Sequence, residues 1–369
     1  MSSDERDQLR QAVARLLTDR APVDTVPDTV AEAPGYDTRL WQLLADQGFL
    51  GLLVPAGLGG SEGSMGDVAV LAGEMGRVLL PGPFLTSAVQ ATTLVVAAAG
   101  AGSASARALA ARLAEGTATA CVVDDRGVTA YGEPASGLVL SGTARRVVGA
   151  DPAAVLLVAV DIEGSGDRVV VQLPAEQAGL APSPLADATR RAADVTFDRV
   201  EVSAQDTLLG GEAARLALKS AALRLMAAVA ADASGGAAAV LAMATEYAKT
   251  RHQFDRAIGS FQAVKHKLAD MYIRTESTTA AAERAAQALE EGLPDAPRRV
   301  TAAGAHGTSA YISVAGDAIQ VHGGIGFTWE HPCHRFLKRA WLNQMLLGGR
   351  RALSDTFAES LFASAATSS

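Results

Sequence analysis

Between residues 4 and 20, Leu9, Val13, Leu16 and Leu17 recur at three- and four-residue steps, the period of a helix with one buried face. The same spacing returns in 36–47 with Leu40, Leu43 and Leu44, and Gly48 predicts its stop. Residues 54–60 carry Pro55, Gly57, Gly59 and Gly60 and are a loop by composition. Helical spacing resumes over 65–77, 87–99 and 106–113. Near Gly116 the pattern changes. Short runs rich in Val, Leu and Thr at 119–123, 138–140, 155–160, 169–173 and 195–202 are separated by Gly, Pro and Asp. They predict antiparallel strands in a small sheet or barrel, with 195–202 alternating as a half-buried strand does. From Gly211 helical patterns return: 213–250 broken at Ser234-Gly-Gly236, then 261–291 with Phe261, Val264, Leu268, Met271 and Tyr272, then 300–322 and 333–362. Residues 363–369 form a small polar tail expected to fray. The fold class is therefore α+β, mostly α, with helical segments at 1–116 and 209–369 around a β segment at 117–208.

Composition narrows the functions open to such a chain. Hydrophobic residues are 49% and charged residues 20% of the sequence, enough apolar surface for a sizeable core and far from the signature of disorder. A net charge of -8 offers no electrostatic footprint for nucleic acid. The two cysteines exclude a disulfide framework and fit a reducing compartment. No basic stretch precedes an apolar run at the N-terminus, and the apolar run 94–101 is far shorter than the ~20 residues a membrane span needs, so a cytoplasmic protein is expected. Abundant alanine with few aromatics favours helices packed closely on one another.

Candidate chemistry is sparse outside two segments. There is no Gly-x-Ser-x-Gly elbow and no phosphate loop ending in Gly-Lys-Ser/Thr. The Gly-Gly pairs at 59–60 and 235–236 read as a turn and a close helix contact. His331, Cys333 and His334 lie near one another, but no second cluster supplies further ligands, so no metal site is predicted. The first informative segment is Tyr247-Ala-Lys-Thr-Arg-His-Gln-Phe-Asp-Arg-Ala-Ile-Gly-Ser-Phe-Gln262, followed by Leu268-Ala-Asp-Met271. It ends one helix at Arg251, turns, and starts another at Phe261. An arginine at such a junction offers its planar fork to a phosphate pair, or simply caps the helix. The second is Gln320-Val-His-Gly-Gly-Ile-Gly-Phe-Thr-Trp-Glu-His-Pro332. It ends a helix at Gly323-Gly324, where a bulky ligand approaches the backbone closely, or where the helix simply terminates.

Together these segments resemble the acyl-CoA dehydrogenase family. Further matches are Trp41-Gln-Leu-Leu-Ala-Asp-Gln-Gly48, the Pro55 to Gly60 loop, Glu74-Met-Gly-Arg77, and Phe197-Asp-Arg-Val200 with Leu209-Gly210. The resemblance implies an N-terminal helical domain (1–116), a middle antiparallel β domain (117–208, shortened) and a C-terminal four-helix bundle (209–369), assembled as dimers or tetramers. It implies FAD between subunits, an acyl-CoA thioester substrate desaturated at Cα–Cβ, a carboxylate base, and an electron-acceptor flavoprotein. Arg251, Gln253 and Phe254 match the family's pyrophosphate-binding turn, Gln262 a glutamine facing the flavin, and Gln320, Gly323 and Gly324 the adenine-side segment. Asp255 stands where the family usually has glycine, which strains or re-aims that turn.

The half that each subunit normally supplies to its own cofactor departs from the pattern. Val123-Asp-Asp-Arg-Gly-Val-Thr-Ala130 replaces a Thr-Glu-Pro-x-x-Gly-Ser-Asp-like loop, and Arg145-Arg-Val-Val-Gly-Ala-Asp151 replaces a Trp-Ile-Thr strand. Ungapped counting puts the usual catalytic glutamate at Leu347 and the alternative base position near Leu225, both apolar. The expectation is one subunit of a heteromer of the actinobacterial type, whose members act on bulky acyl-CoA thioesters, including steroid side chains. A second acyl-CoA dehydrogenase chain would then carry the base. Two other readings compete. One is a homo-oligomer with a displaced base, for which Asp232, Glu212 and Glu246 are candidates; Asp232 stands out because a buried, unpaired carboxylate there would be proton-hungry. The other is a non-catalytic scaffold or acyl-CoA binder.

Overall fold

The computed structural model describes residues 3–366. The N-terminal part supplies α1 (Ser3–Arg20), α2 (Val26–Ala31), α3 (Thr38–Asp46) and α4 (Met65–Arg77). A π-helical turn, Phe84–Ala91, then leads into α5 (Thr92–Gly100) and is followed by α6 (Ala104–Ala114). Asp37 caps α3 by accepting from the amides of Arg39 and Leu40 at 2.8 and 3.1 Å, which answers orphan donors of its first turn. The chain after it turns at Gly48 and packs the predicted 54–60 loop as a 3-10 turn, Ala56–Leu58. The helix read over 87–99 is the one that differs in kind. Its first half is π-helical, with Thr92 Oγ1 bonding the Ser87 carbonyl at 3.0 Å.

Seven strands form one sheet: β1 (Ala120–Glu133), β2 (Gly137–Val148), β3 (Val155–Ile162), β4 (Arg168–Pro174), β5 (Gly179–Pro182), β6 (Ala192–Val202) and β7 (Thr207–Gly210), in the order β5-β6-β2-β1-β3-β4-β7. Every neighbouring pair is antiparallel except β1 with β3, which is parallel, so the sheet is mixed rather than wholly antiparallel. Strand β3 explains the missing alternation in 155–160. Leu156, Val158 and Val160 face one core with Val123, Leu140 and Phe197, while Leu157 and Ala159 face another with Leu94, Leu109, Ala214 and Ala217. A strand covered on both faces has no polar side to alternate with.

Helix α7 (Gly211–Thr250) runs 40 residues without the break predicted at Ser234-Gly-Gly236. It leads through β8 (His252–Gln253) and β9 (Arg256–Ala257) to α8 (Gln262–Glu290) and α9 (Ala296–His322). The expected helix 333–362 is split into α10 (Cys333–Leu346) and α11 (Gly349–Ala366). The split falls at Gly348 and Gly349, whose φ of +89° and +86° are left-handed values that glycine adopts without the Cβ penalty. Helix α11 takes up the first residues of the expected tail; Thr367, Ser368 and Ser369 lie outside the described residues.

Compactness groups the chain into two units. In one (28–64 and 81–225), α3 lies with the sheet's unit, and α5, α6 and the start of α7 pack on one face of the sheet. In the other (1–27, 65–80 and 226–369), α1 and α4 join the remainder of α7 and α8 to α11. Here the Gly-Gly pair of α7 has its use. A Cβ on Gly235 would overlap the Gly73 carbonyl of α4, and one on Gly76 of α4 would overlap the Asp232 carbonyl, so the two backbones touch where they cross. Among the described residues α7 is the one helix long and apolar enough to cross a membrane, but 72% of its apolar window is buried inside the protein, as a core helix is.

Candidate functional site

The first predicted segment folds as a hairpin wedged between two long helices. Arg251 directly follows α7, its amide bonding the Tyr247 carbonyl at 2.8 Å. Its carbonyl accepts from the Ile258 amide at 2.8 Å, which closes β8 and β9 against the helix end. Only Phe254 and Asp255 remain for the turn, and both have positive φ, +54° and +63°. A two-residue hairpin of this kind needs left-handed backbone at both central positions, which is why glycine suits position 255 and why an aspartate there is strained. The Arg256 guanidinium lies 4.0 Å over the Phe261 ring, and Phe254 meets the same ring edge-on at 6.1 Å, tying the hairpin to the start of α8. Gln262 is the first residue of α8, beside amides that have no intrahelical partner.

The second segment stands at the same end of this unit. The Tyr247 ring in the last turn of α7 stacks on the His322 ring in the last turn of α9, with centroids 4.6 Å apart. Gln320 is exposed one residue before Val321 and His322 turn inward. Gly323 ends α9 at φ +63°, and neither it nor Gly324 has any atom within 4 Å of where a Cβ would lie. The fold thus gathers Arg251, Gln253, Phe254 and Gln262 on one turn and Gln320, Gly323 and Gly324 on the turn beside it. All seven are exposed, Phe254 by 85%. The Arg251 guanidinium makes no hydrogen bond or ion pair to another described residue. A bare guanidinium, three carboxamides, a helix N-terminus and a glycine pair with open space before it suit the phosphates and adenosine of a dinucleotide, so the residues present fit FAD.

The two expected base positions carry leucine, and the candidate acids have other roles. Leu347 caps the end of α10, and its side chain lies over Gly304 of α9 beside Met226. Leu225 is buried. Asp232, which would act as a base only if buried and unpaired, is paired: it accepts from Arg339 at 3.0 Å and from the Asn343 side-chain amide at 2.7 Å, all three fully buried. It is therefore a structural charge. Glu212 and Glu246 are exposed and lie 3.9 and 3.5 Å from Arg215 and Lys249 one turn away. In the β unit, 123–130 is part of the continuous strand β1 instead of a loop. Asp124 pairs with Arg168, and Asp125 accepts from the Gly127 amide at 2.7 Å. Residues 145–151 end β2, where the Arg146 amide bonds Asp194 at 2.7 Å and Asp151 pairs with Arg191 at 3.1 Å.

One cluster was not foreseen. His331 and Cys333 are joined not by His334 but by His322, from the preceding helix; one ligand atom of each lies within 4.8 Å of the others. Burial lowers the pKa of both His322 and His331, the Ala318 carbonyl opposing it in the first case and neighbouring imidazoles adding to it in the second. Burial pushes the Cys333 thiol up to about 12. Nothing in the spacing connects His322 with the later pair, because a 3-10 turn, Gly323–Phe327, folds back between them.

Comparison with known proteins identifies the family. Residues 3–117 match the acyl-CoA dehydrogenase N-terminal domain and residues 221–362 the acyl-CoA dehydrogenase C-terminal domain. The acyl-CoA dehydrogenase IpdE2 of Mycobacterium tuberculosis is 33% identical over 349 residues, 94% of each chain. Two solved structures share the fold closely. The ChsE4-ChsE5 complex of M. tuberculosis has a TM-score of 0.87 at 27% identity, covering 98% of both chains. The Tcur3481-Tcur3483 steroid acyl-CoA dehydrogenase, as a G363A variant, also has a TM-score of 0.87 at 27% identity, covering 98% of this chain and 99% of that one.

Proposed function

The chain belongs to the acyl-CoA dehydrogenase family, FAD-dependent oxidoreductases acting on CH–CH bonds, and on that premise we propose that it is the subunit of a heteromeric enzyme that completes a partner chain's FAD site while the partner supplies the base. The observation that carries this reading is the imbalance within the chain. The seven residues the family offers to a neighbour's cofactor stand outward on two adjoining turns, whereas the base position is Leu347, lying over Gly304. The two solved relatives at 27% identity are a ChsE4-ChsE5 complex and a Tcur3481-Tcur3483 pair, which supports assembly from unlike chains and a bulky acyl-CoA thioester as substrate.

In this reading Arg251 holds the pyrophosphate through charge-assisted hydrogen bonds, with Gln253 and Phe254 shaping the turn around it. Gln262 presents its carboxamide toward the flavin. Gln320 addresses the adenine side, and Gly323 and Gly324 let backbone come close there. FAD, when bound, supplies the acceptor for the hydride leaving Cβ. Leucine takes no proton, so removal of the α proton falls to a carboxylate of the partner chain, held in a site dry enough to raise its pKa. Reoxidation falls to an electron-acceptor flavoprotein.

The test is to purify the chain alone and co-expressed with a glutamate-bearing family member from its own genome, and to measure bound flavin and acyl-CoA-dependent reduction of a dye. The lone chain is expected to be nearly colourless, and the complex yellow and active. Arg251→Ala in the complex is expected to weaken FAD retention about tenfold or more, since a hydrogen bond to a charged group contributes about 1.5–3 kcal/mol. Stoichiometric flavin with turnover from the lone chain would overturn the proposal.

A further inference from the structure

We infer that His322, His331 and Cys333, with the thioether of Met243, form a binding site for a thiophilic d10 cation, Zn2+ or Cu+, at the junction of α9 and α10. Two imidazoles, a thiol and a thioether from α7, α9, α10 and the turn before α10 converge there. Cys333 Sγ lies 3.7 Å from Met243 Sδ, and the His322 and His331 rings are 4.3 Å apart. Ligands bound to one such ion at about 2.0–2.3 Å lie about 3.3–3.8 Å from each other. The cluster, within 4.8 Å, needs only a small contraction to reach that spacing.

The hydrogen bonds of His322 are those of a ligating histidine. Its Nδ1 lies 2.8 Å from the Ala318 carbonyl and must carry the proton to donate to it. Its Nε2 is then a lone pair, and that atom is buried with no hydrogen-bond partner, on a residue only 3% exposed. A buried acceptor left empty costs stability unless something occupies it, and a backbone carbonyl fixing the other ring nitrogen is the usual support of a metal-bound imidazole. His331 is half-buried and gives an ion a way in from solvent. On binding, the sulfur–metal bond forms as the thiol proton leaves to solvent. The site would pin the 3-10 turn that carries Gly323 and Gly324, yet it stands on its own geometry and not on the heteromer reading.

The experiment uses the full chain, or its complex with the partner, stripped with a chelator. Zn2+ and, under anaerobic conditions, Cu+ are titrated against a chromophoric chelator, and Co2+ serves as an optical probe. Binding of one ion per chain is expected, with a thiolate-to-cobalt charge-transfer band. Cys333→Ser should abolish the band, and His331→Ala, at a half-buried position that folding tolerates, should weaken binding about tenfold or more. Met243→Leu sorts the ions: weakened Cu+ binding with Zn2+ unchanged identifies Cu+ as the better fit, and no change in either assigns the site to Zn2+ held by the other three. Absence of stoichiometric binding of both ions, or equal binding by wild type and His331→Ala, would overturn the inference.

Discussion

At the scale of single residues the most consequential group is the buried ion pair of Asp232 and Arg339, with side chains 2% and 1% exposed. Arg339 also donates to the Leu80 carbonyl at 3.2 Å, so one guanidinium joins α10 to α7 and to the end of α4. Removing one partner leaves the other charged in a place water does not reach. Arg339→Met is therefore expected to destabilise the protein by about 3–5 kcal/mol, and Asp232→Leu added to it to recover only part of the loss, because an apolar pair removes the stranded charge but leaves the Asn343 side-chain amide and the Leu80 carbonyl without these partners. Urea denaturation of wild type, single and double variants measures this; a double variant as weak as the single would show that the pair is more than mutual neutralisation. The carboxylate was legible as buried from its alanine-rich surroundings. Its partner, 107 residues further on, was not, because nothing local marks which distant cation reaches a given helix face.

At the scale of elements, legibility tracked how locally each element is determined. Helix α4 coincides with the predicted 65–77 because its apolar face repeats at 3.6 residues throughout. The break assigned to Ser234-Gly-Gly236 does not occur, because those glycines answer to another helix. Local propensity counts them as breakers, whereas packing uses their missing side chains. The parallel pairing of β1 with β3 was equally unreadable, since alternation says which face a residue takes and not which strand lies beside it. The glycine argument makes a prediction. Gly235→Val would force valine atoms against the Gly73 carbonyl, a backbone atom with no rotamer to move, and should cost at least about 1–3 kcal/mol. Gly100→Ala, at the end of α5 with nothing within 4 Å, should be neutral or stabilising by up to about 1 kcal/mol. Thermal unfolding of the two variants side by side checks the contrast; equal effects would mean that helix propensity, not the crossing, governs position 235.

At the scale of the whole molecule the question is whether the chain lacks one residue or half a site. The turns around Arg251 and Gly323 were legible because their chemistry is local and ordered in sequence. The β unit's share was legible only as a mismatch. The structure gives that mismatch a physical form, with 123–130 running as strand, Asp124 and Asp125 engaged by Arg168 and by the Gly127 amide, and Asp151 held by Arg191. These carboxylates answer to their own sheet. Leu347→Glu separates the two possibilities. Leu347 is half-buried at a helix end, so a carboxylate there is compatible with folding and should change stability by no more than about 1 kcal/mol. If the chain lacked only its base, this substitution would create acyl-CoA-dependent dye reduction in the lone protein. If it lacks its own half of the cofactor site as well, the lone variant will fold like wild type, retain no flavin and show no turnover, while wild type in complex with its partner remains active. The second result is the one expected, because a base placed where no flavin is held has no acceptor opposite it, and proton removal alone leaves the Cα–Cβ bond unoxidised.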